Sequence, residues 1–375
     1  MKIADVESLL ISGGHFVRIR TEDGTVGLGQ SACWAYPGAV HAVILAFAKY
    51  LIGQDPLRIE HHWQHLYRMG PFRGSVLSGA VSAVDIALWD IKGQHLGAPI
   101  WQLLGGMCRD KVRLHLLMGG GTPDQVASRA RAAAEDGFTA IKFDPIPAGY
   151  QDMTLAGLVA AVQARVAAAR EAVKNDADII LEIHRKLTPL QARPVAEAVK
   201  QFHPLFFEDP VQIDSISTQA EVARQLELAV GQGERMHTIW EFRELLAQGG
   251  AQYVRPDVGL AGGLTHCKKI AAIAESFHSA VVTHNFLGPV LTAAAVHLDI
   301  SIPNFLVQEY SKTDEGPESG IFVGTLQRQG GYLPAPTAPG LGIRLDDERV
   351  TALPAHERDS LTIPLRADGS VAFAV

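Results

Sequence analysis

A regular series of short apolar runs, each followed by a polar side chain, constrains the fold of this 375-residue chain more than any other feature. The six polar residues are 26, 26, 23, 27 and 25 residues apart, and in chain order they are Glu182, Glu208, Glu234, Asp257, His284 and Glu309. Such an interval fits one strand, one helix and two short loops, the repeat of a parallel βα array. Since the carboxyl ends of neighbouring parallel strands meet at one edge, we expect these side chains to lie together.

Strand-like runs continue on both sides of this series. Eight are predicted, at Val112–Leu117, Ala140–Phe143, Ile179–Ile183, Leu205–Phe207, Leu228–Val230, Tyr253–Arg255, Ala280–Thr283 and Phe305–Val307. Helical segments separate them, so the pattern predicts an α/β fold with a closed parallel barrel. An open doubly wound sheet is the alternative, but no glycine-rich dinucleotide fingerprint follows any strand.

The first 110 residues have a different pattern, which predicts a separate α+β domain. Residues 1–29 alternate as antiparallel strands with a hairpin signal at Glu22-Asp23-Gly24-Thr25, and three helical segments follow. After Glu309 the chain is rich in glycine and proline, and its last thirty or so residues contain strand-like pieces that we expect to return to the first domain. The predicted divisions are 1–110, 111–344 and 345–375.

Composition restricts the partners and the compartment. The net charge is −7 with acidic and basic residues interspersed, which gives no footprint for nucleic acid or a membrane surface. Only three cysteines are present, far apart in the chain, so a reducing cytoplasm is expected. Early charges interrupt any signal-peptide core, and no apolar run is long enough to span a bilayer.

Three of the strand-end residues are glutamates, which indicates a metal site. If their strands are neighbours, Glu182, Glu208 and Glu234 converge, and three converging anions repel one another unless a cation lies among them. A hard divalent ion, most simply Mg²⁺, suits an all-oxygen site. His184 lies two residues beyond Glu182, so continued strand geometry would place both side chains on one face.

Further motifs resemble those of one enzyme family. In the first region they are Val84-Asp85-Ile86-Ala87-Leu88-Trp89-Asp90-Ile91-Lys92-Gly93, Leu96-Gly97-Ala98-Pro99 and Leu103-Leu104-Gly105-Gly106. Downstream they are Arg255-Pro256-Asp257, Ala261-Gly262-Gly263-Leu264-Thr265, Lys268-Lys269-Ile270-Ala271-Ala272 and His284-Asn285-Phe286-Leu287-Gly288-Pro289. With these motifs most of the chain resembles the mandelate racemase and muconate lactonizing branch of the enolase superfamily. The downstream group is most similar to sugar-acid dehydratases of the galactonate dehydratase kind, whereas Arg185-Lys186-Leu187-Thr188-Pro189 is similar to mannonate dehydratases.

The resemblance implies a modified TIM barrel, (β/α)₇β, with an α+β capping domain built from both chain ends. It also implies Mg²⁺ on the three glutamates, a small carboxylate substrate and a symmetric homo-oligomer. The implied reaction removes the proton α to the substrate carboxylate, which a neutral-pH base can do only if positive charge stabilises the resulting dianion. Glu309 is expected to bind the substrate carboxylate opposite the metal.

Histidines on two sides of the substrate determine the implied reaction type. His284, oriented by Asp257, is the expected base, and His184 is the expected acid for the departing β-hydroxyl. The racemases of the branch carry Lys-x-Lys on the second strand, whereas this chain has Lys142-Phe143-Asp144. The product would be a 2-keto-3-deoxy sugar acid. An epimerase or racemase, and a non-catalytic sugar-acid-binding protein, are the alternatives.

Two residues depart from the family pattern, and three loop residues complete the set of candidates. Glu182 stands where the resemblance leads us to expect aspartate. Asp144 stands beside Lys142, which is expected either to pair with it or to contact the substrate carboxylate. The further candidate substrate contacts lie in loops expected to cover the barrel mouth, and they are Trp34, Tyr36 and Arg73.

Overall fold

The computed structural model describes residues 1–11, 14–351 and 363–372, and it begins with an antiparallel sheet. Strands β1 (Ile3–Ile11), β2 (Gly14–Thr21) and β3 (Val26–Ser31) pair in that order. The helices that follow are α1 (Pro37–Leu51), α2 (Ile59–Arg68), α3 (Ser75–Leu96) and α4 (Ile100–Leu103). This arrangement confirms the α+β character predicted for the start of the chain.

Eight parallel strands then form a barrel, as predicted. They are β4 (Lys111–Leu117), β5 (Ala140–Phe143), β6 (Asp178–Glu182), β7 (Phe206–Glu208), β8 (Val230–Gln232), β9 (Tyr253–Val254), β10 (Ala280–Val281) and β11 (Gln308–Tyr310). Neighbours in the chain pair in parallel from β4 to β10, and β11 pairs with β4. Val281 N and O bond Asn304 O and Leu306 N, which closes the barrel between β10 and the chain leading into β11.

Helices surround the barrel between these strands. They are α5 (Pro123–Glu135), α6 (Leu155–Val173), α7 (Pro189–Lys200), α8 (Ile216–Gln225), α9 (Ile239–Ala247), α10 (Gly263–Ser276) and α11 (Pro289–Ser301). Capping side chains fix several of the starts: Thr122, Ser215 and Thr238 each accept a hydrogen bond from the third residue of the helix that follows. Helix α11 is buried throughout, which explains its almost continuous apolar sequence.

The last barrel strand lies later than the sequence predicts. The apolar run Phe305–Val307 was the expected strand, whereas the ladder to β4 begins at Gln308, paired with Leu114. Phe305 makes a single parallel bridge to Val281 at the closure of the barrel, and the residues that follow the apolar run carry the ladder to β4. Hydrophobicity therefore identifies the strand but not its pairing register.

The first region packs on the barrel through a shared hydrophobic core and through polar contacts of α3. Ser82 Oγ accepts hydrogen bonds from Gly262 N at 2.9 Å and Gly263 N at 3.1 Å. Asp85 accepts from Thr265 N at 3.0 Å, and Asp90 accepts from Leu341 N at 2.8 Å. These contacts place the loops after β3 over the carboxyl ends of the barrel strands.

The chain after β11 contacts both parts of the molecule. Strands β12 (Phe322–Val323) and β14 (Arg344–Leu345) pair with each other, β13 (Tyr332–Pro334) pairs with β4, and helix α12 spans Asp347–Thr351. Asp347 pairs with Arg18 of the antiparallel sheet, whereas Ala367 N donates to Asp152 in the loop after β5. The predicted returning segment 345–375 lies partly outside the described residues, so its assignment stays a prediction. Among the described residues, no helix has the length and apolar composition needed to cross a membrane.

Candidate active site

Three buried glutamates end three adjacent strands and form a carboxylate cluster. Glu182 is the last residue of β6, Glu208 is the last residue of β7, and Glu234 follows β8 by two residues. Each offers an oxygen, and the three oxygens lie within 4.8 Å of one another. The convergence inferred from their spacing is therefore present.

The ammonium group of Lys142, at the end of β5, lies against this cluster. Its Nζ is 2.9 Å from Glu182 Oε2, 3.1 Å from Glu208 Oε1 and 2.6 Å from Glu309 Oε2. Lys142 is only 2% exposed. Of the two expectations for Lys142, the pairing with Asp144 is wrong: strand β5 ends at Phe143, Asp144 lies beyond it, and Lys142 faces the glutamates inside the barrel. A contact of Lys142 with the substrate carboxylate stays a prediction.

Two arginines that the sequence analysis did not select complete the cluster. Arg255, which is fully buried, pairs with both Glu208 and Glu309. Arg185 pairs with Asp209 and, at 2.9 Å, with Glu234 Oε1. The signal for Arg255 was present, since a charged residue closing an apolar run two positions before Asp257 faces the same way as that aspartate.

The charges of the cluster indicate that it suits a divalent cation. Among the described residues it contains six carboxylates and four permanently cationic side chains, an excess of two negative charges; they are Glu182, Glu208, Asp209, Glu234, Asp257 and Glu309 against Lys142, Arg185, Arg235 and Arg255. Burial raises the pKa of Glu208 well above its ordinary value, and the neighbouring carboxylates of Glu182 and Glu234 add to this rise, although Arg255 and Lys142 oppose it. The oxygen-only donor set is the kind that Mg²⁺ prefers.

Asp257 and His284 form a hydrogen-bonded pair beside the cluster. His284 Nδ1 lies 2.6 Å from Asp257 Oδ2, and His284 Nε2 lies 3.4 Å from Glu234 Oε2. Burial alone would lower the pKa of His284, but the charges of Glu234 and Glu309 and the bond to Asp257 together raise it. The aspartate thus holds Nδ1 and leaves Nε2 directed at the cluster.

His184 lies at the other end of the cluster and pairs with Asp144. Its Nδ1 is 2.9 Å from Asp144 Oδ2, and its side chain is 30% exposed. The expectation that His184 continues the strand face of Glu182 is wrong. Strand β6 ends at Glu182, and His184 has a φ of 53°, so the chain turns before the alternation reaches it.

Two aromatic side chains, Phe286 and Trp34, lie beside His284. Phe286 lies 5.5 Å from His284 and 6.1 Å from Trp34, measured between ring centroids. The guanidinium of Arg235 lies 5.2 Å from the ring of Trp34 and its Nε is 3.3 Å from Glu234. Trp34 from the first region is thereby brought to the mouth of the barrel.

The other two loop candidates show no such connection. Tyr36 is 63% exposed and precedes α1. Arg73 lies 4.4 Å from the ring of Tyr67 and donates to the carbonyl of Gly70 at 2.7 Å, so its described contacts are within its own region. The structure therefore brings Trp34 to the cluster, but it does not bring Tyr36 or Arg73 there through the contacts described.

Comparison with known proteins identifies close relatives. The profile of the family described as "Mandelate racemase / muconate lactonizing enzyme, N-terminal domain" matches residues 14–105, and that of "Enolase C-terminal domain-like" matches residues 125–349. D-galactonate dehydratase of Ralstonia nicotianae is 36% identical over 368 residues, which is 95% of each chain. D-galactonate dehydratase of Cronobacter sakazakii is 35% identical over 369 residues, again 95% of each chain.

Solved structures show the same fold. A candidate dehydratase from Salmonella enterica serovar Typhimurium matches with a TM-score of 0.89 and 33% identity, covering 94% of this chain and 98% of that one. An enolase described as a candidate galactarate dehydratase, from Agrobacterium radiobacter, was solved with sodium and L-malate bound. It matches with a TM-score of 0.93 and 28% identity over the full length of both chains.

Proposed function

Because the chain belongs to the mandelate racemase/muconate lactonizing enzyme family of the enolase superfamily, we propose that it is a Mg²⁺-dependent hydro-lyase that dehydrates a sugar acid. The observation that carries the proposal is the placement of two histidines on the two sides of one carboxylate cluster. His284 is 3.4 Å from Glu234, and the backbone N–H of His184 donates to Glu182 Oε1 at 2.9 Å. The D-galactonate dehydratases among its relatives make a six-carbon aldonate the first substrate to test.

In the proposed reaction, His284 is the base. Asp257 accepts from Nδ1, so Nε2 is free to take the proton from the carbon α to the substrate carboxylate. The electron pair of the broken C–H bond forms a double bond to the carboxyl carbon, and negative charge develops on the carboxylate oxygens. Mg²⁺ held by Glu182, Glu208 and Glu234 would supply positive charge that stabilises the negative charge on these oxygens.

His184 is the proposed acid. It gives a proton to the β-hydroxyl as the C–O bond breaks, and water leaves with the oxygen. The electron pair returns from the carboxylate to form a double bond between the α and β carbons. The resulting enol takes up a proton at the β carbon and becomes the 2-keto-3-deoxy acid, so the net change is the loss of one water molecule.

Buried cations hold the carboxylates in place around this chemistry. Arg255 joins Glu208 to Glu309, and Lys142 joins both of them to Glu182. A carboxylate fixed between two cations cannot rotate freely, so the cluster is organised before the substrate arrives. Glu309 is the proposed neighbour of the substrate carboxylate, and Lys142 and Arg255 beside it would offset the repulsion between the two carboxylates. The partly exposed edge near Trp34 and Arg235 is proposed to contact the rest of the substrate.

The decisive experiment is a screen of aldonic and aldaric acids with Mg²⁺. We expect a keto product, detected with semicarbazide, from at least one aldonate, and loss of that product when EDTA removes the metal. Absence of a keto product across the whole library would contradict the proposal.

An epimerase or racemase is the second candidate function, because each of the two histidines is backed by an aspartate and each is thus equipped to take up a proton. Mass spectrometry in D₂O separates the two reactions. An epimerase incorporates deuterium at the α carbon while the substrate keeps its β-hydroxyl, whereas a dehydratase loses water.

A further inference from the structure

Asp144 is built into the site in the same way as Asp257. Asp144 Oδ1 accepts from the backbone N–H of Ile146 at 2.8 Å, and its Oδ2 lies 2.9 Å from His184 Nδ1. Asp257 Oδ1 accepts from the backbone N–H of Gly259 at 2.7 Å, and its Oδ2 lies 2.6 Å from His284 Nδ1. In both pairs the backbone N–H two residues later in the chain holds one carboxylate oxygen, so the other oxygen is presented to the histidine in a fixed direction.

The backbone at His184 is shaped to make this contact. His184 and Arg185 are consecutive non-glycine residues with positive φ, 53° and 62°. This conformation costs free energy in non-glycine residues and persists where the surrounding structure holds it. Here His184 N donates to Glu182 Oε1 at 2.9 Å, and Arg185 N donates to Asp209 O at 2.8 Å. The turn directs the imidazole towards Asp144 and the guanidinium towards Glu234.

The two aspartate–histidine pairs lie across the barrel from each other. His184 follows β6 and His284 follows β10, and the strand order runs β10, β9, β8, β7, β6. Four steps in a ring of eight strands is half the circumference. Each histidine therefore approaches the carboxylate cluster from its own side.

We propose that Asp144 is the positioning residue of His184: it holds Nδ1–H, so that Nε2 is the atom that delivers the proton to the departing hydroxyl. This inference deepens the proposed dehydratase function and rests on it for the identity of the acid. It also gives a role to Asp144, which lies two residues after Lys142 but pairs with His184 and Lys186 instead of that lysine. Asp144 acts through His184, so it orients the acid without touching the reacting atoms.

The first test separates proton abstraction from elimination. In D₂O, the Asp144→Ala variant is expected to dehydrate the substrate about 10–100-fold more slowly. Exchange of the α-hydrogen by His284 should fall much less, so unreacted substrate should become deuterated. Asp144→Asn is expected to recover much of the rate, because its amide oxygen can accept from Nδ1–H. Asp152→Ala, which removes an exposed carboxylate from the same loop, is the matched control and should behave as the wild type.

The second test needs no turnover. In histidine-labelled ¹⁵N spectra recorded at a pH where His184 is neutral, its resonances, assigned by their loss in His184→Asn, should show that the single proton lies on Nδ1 in the wild type. They should shift to a tautomer mixture in Asp144→Ala and return in Asp144→Asn.

Each outcome bears on one of the two proposals. Unchanged His184 resonances in a folded Asp144→Ala variant would overturn the positioning role, as would exchange and dehydration that fall in the same proportion. If the wild type dehydrates no acid while the resonances depend on Asp144, the positioning role stands and the dehydratase proposal fails.

Discussion

At the scale of single residues, the two histidines of the site have different surroundings. His284 is buried, in contact with Glu234, and its Nδ1 is held by Asp257. His184 is partly exposed and lies at a turn rather than in a strand. Proximity to carboxylates favours the proposed role of His284 as a proton acceptor, and an accessible position favours the proposed role of His184 as the group that meets a departing hydroxyl.

Replacing each of the two histidines should therefore affect α-hydrogen exchange and dehydration differently. His284→Asn is expected to lower both α-hydrogen exchange and dehydration by about 10²–10⁴-fold, the usual contribution of a general base. His184→Asn should lower dehydration by a similar factor while exchange continues. The measurements are deuterium incorporation and keto-acid formation on one substrate, and equal loss of both activities in His184→Asn would contradict the division.

Glu182 stands where the family resemblance leads us to expect aspartate, and we expect its charge to contribute more than its length to the binding of an ion. Glu182→Gln is expected to weaken Mg²⁺ binding by about tenfold or more, because affinity for a hard cation depends on the number of charged ligands. Glu182→Asp keeps the charge and is the matched comparison. Isothermal titration with Mg²⁺ checks both variants, and equal affinities in wild type and Glu182→Gln would exclude Glu182 as a ligand.

At the scale of elements, close backbone contact between β3 and α3 holds the sheet of the first region against its helix. A side-chain carbon at Gly29 would meet the carbonyl oxygen of Ala83, and one at Gly27 would meet that of Ala87. Only glycine lets the sheet approach the helix this closely. Helix α3 also carries Ser82 and Asp85, which accept hydrogen bonds from the backbone of the barrel. The sheet is thus positioned by the helix, and the helix is positioned by the barrel.

A methyl group at Gly29 should thus destabilise the protein. Gly29→Ala is expected to lower the free energy of unfolding by about 1–3 kcal/mol through overpacking against the α3 backbone. Gly70→Ala is the matched control, since no atom lies within 4 Å of the added carbon there. Urea unfolding at neutral pH measures both, and equal stabilities would show that the helix moves aside freely.

Helix α11 contains a histidine that should make stability depend on pH. His297 Nδ1 accepts from Trp101 N at 3.2 Å, His297 Nε2 lies 3.2 Å from Leu341 O, and burial lowers the pKa of His297 from 6.5 to about 4. The folded state therefore binds this proton less readily than the unfolded state. The stabilisation is present above pH 6.5 and is lost as the pH falls towards 4.

Replacing His297 should reduce this loss. Between pH 7 and pH 4, the wild type is expected to lose about 3 kcal/mol more stability than His297→Gln, which cannot take up the proton. Urea unfolding at several pH values measures the difference, and His61→Gln, at an exposed position, is the control. Parallel pH profiles for wild type and His297→Gln would contradict the assignment.

How much of the structure the sequence predicts depends on how far apart in the chain the interacting residues are. The strands and the convergence of Glu182, Glu208 and Glu234 are predictable, since periodicity and spacing report local structure and strand order. The partners of Lys142 and Asp144 were not, because they depend on which side of a strand end each residue faces and on a turn at His184 with positive φ. The position of Arg255 two residues before Asp257 is visible in the sequence, but its ion pairs with Glu208 and Glu309 are not, since these partners are distant in the chain.

At the scale of the whole molecule, the first region and the barrel share one continuous core. The cluster of buried apolar residues extends from Ile3 in β1 to Leu345 in β14. Trp63 Nε1 donates to Gly262 O at 2.9 Å, and Ala32 N donates to Gly259 O at 2.9 Å, so polar contacts close the same boundary. A boundary of this kind couples the stabilities of the two parts.

The two parts should therefore unfold together. Ser82→Ala leaves the buried N–H groups of Gly262 and Gly263 without their acceptor and is expected to cost about 1–3 kcal/mol. Fluorescence and circular dichroism should report one coincident transition, shifted to lower urea in the variant. Ser276→Ala, at an exposed position, is the control, and two separate transitions would contradict the coupling.

The ammonium of Lys142 among the glutamates has a consequence for the life of the protein in a cell. Because Lys142, Arg185 and Arg255 already offset most of the negative charge, the barrel mouth is held together by its own side chains. We therefore expect newly synthesised chains to reach the native state before the proposed Mg²⁺ binds. On the proposed Mg²⁺ dependence, a shortage of magnesium should leave folded, inactive protein that regains activity when the ion is supplied, rather than protein lost to degradation.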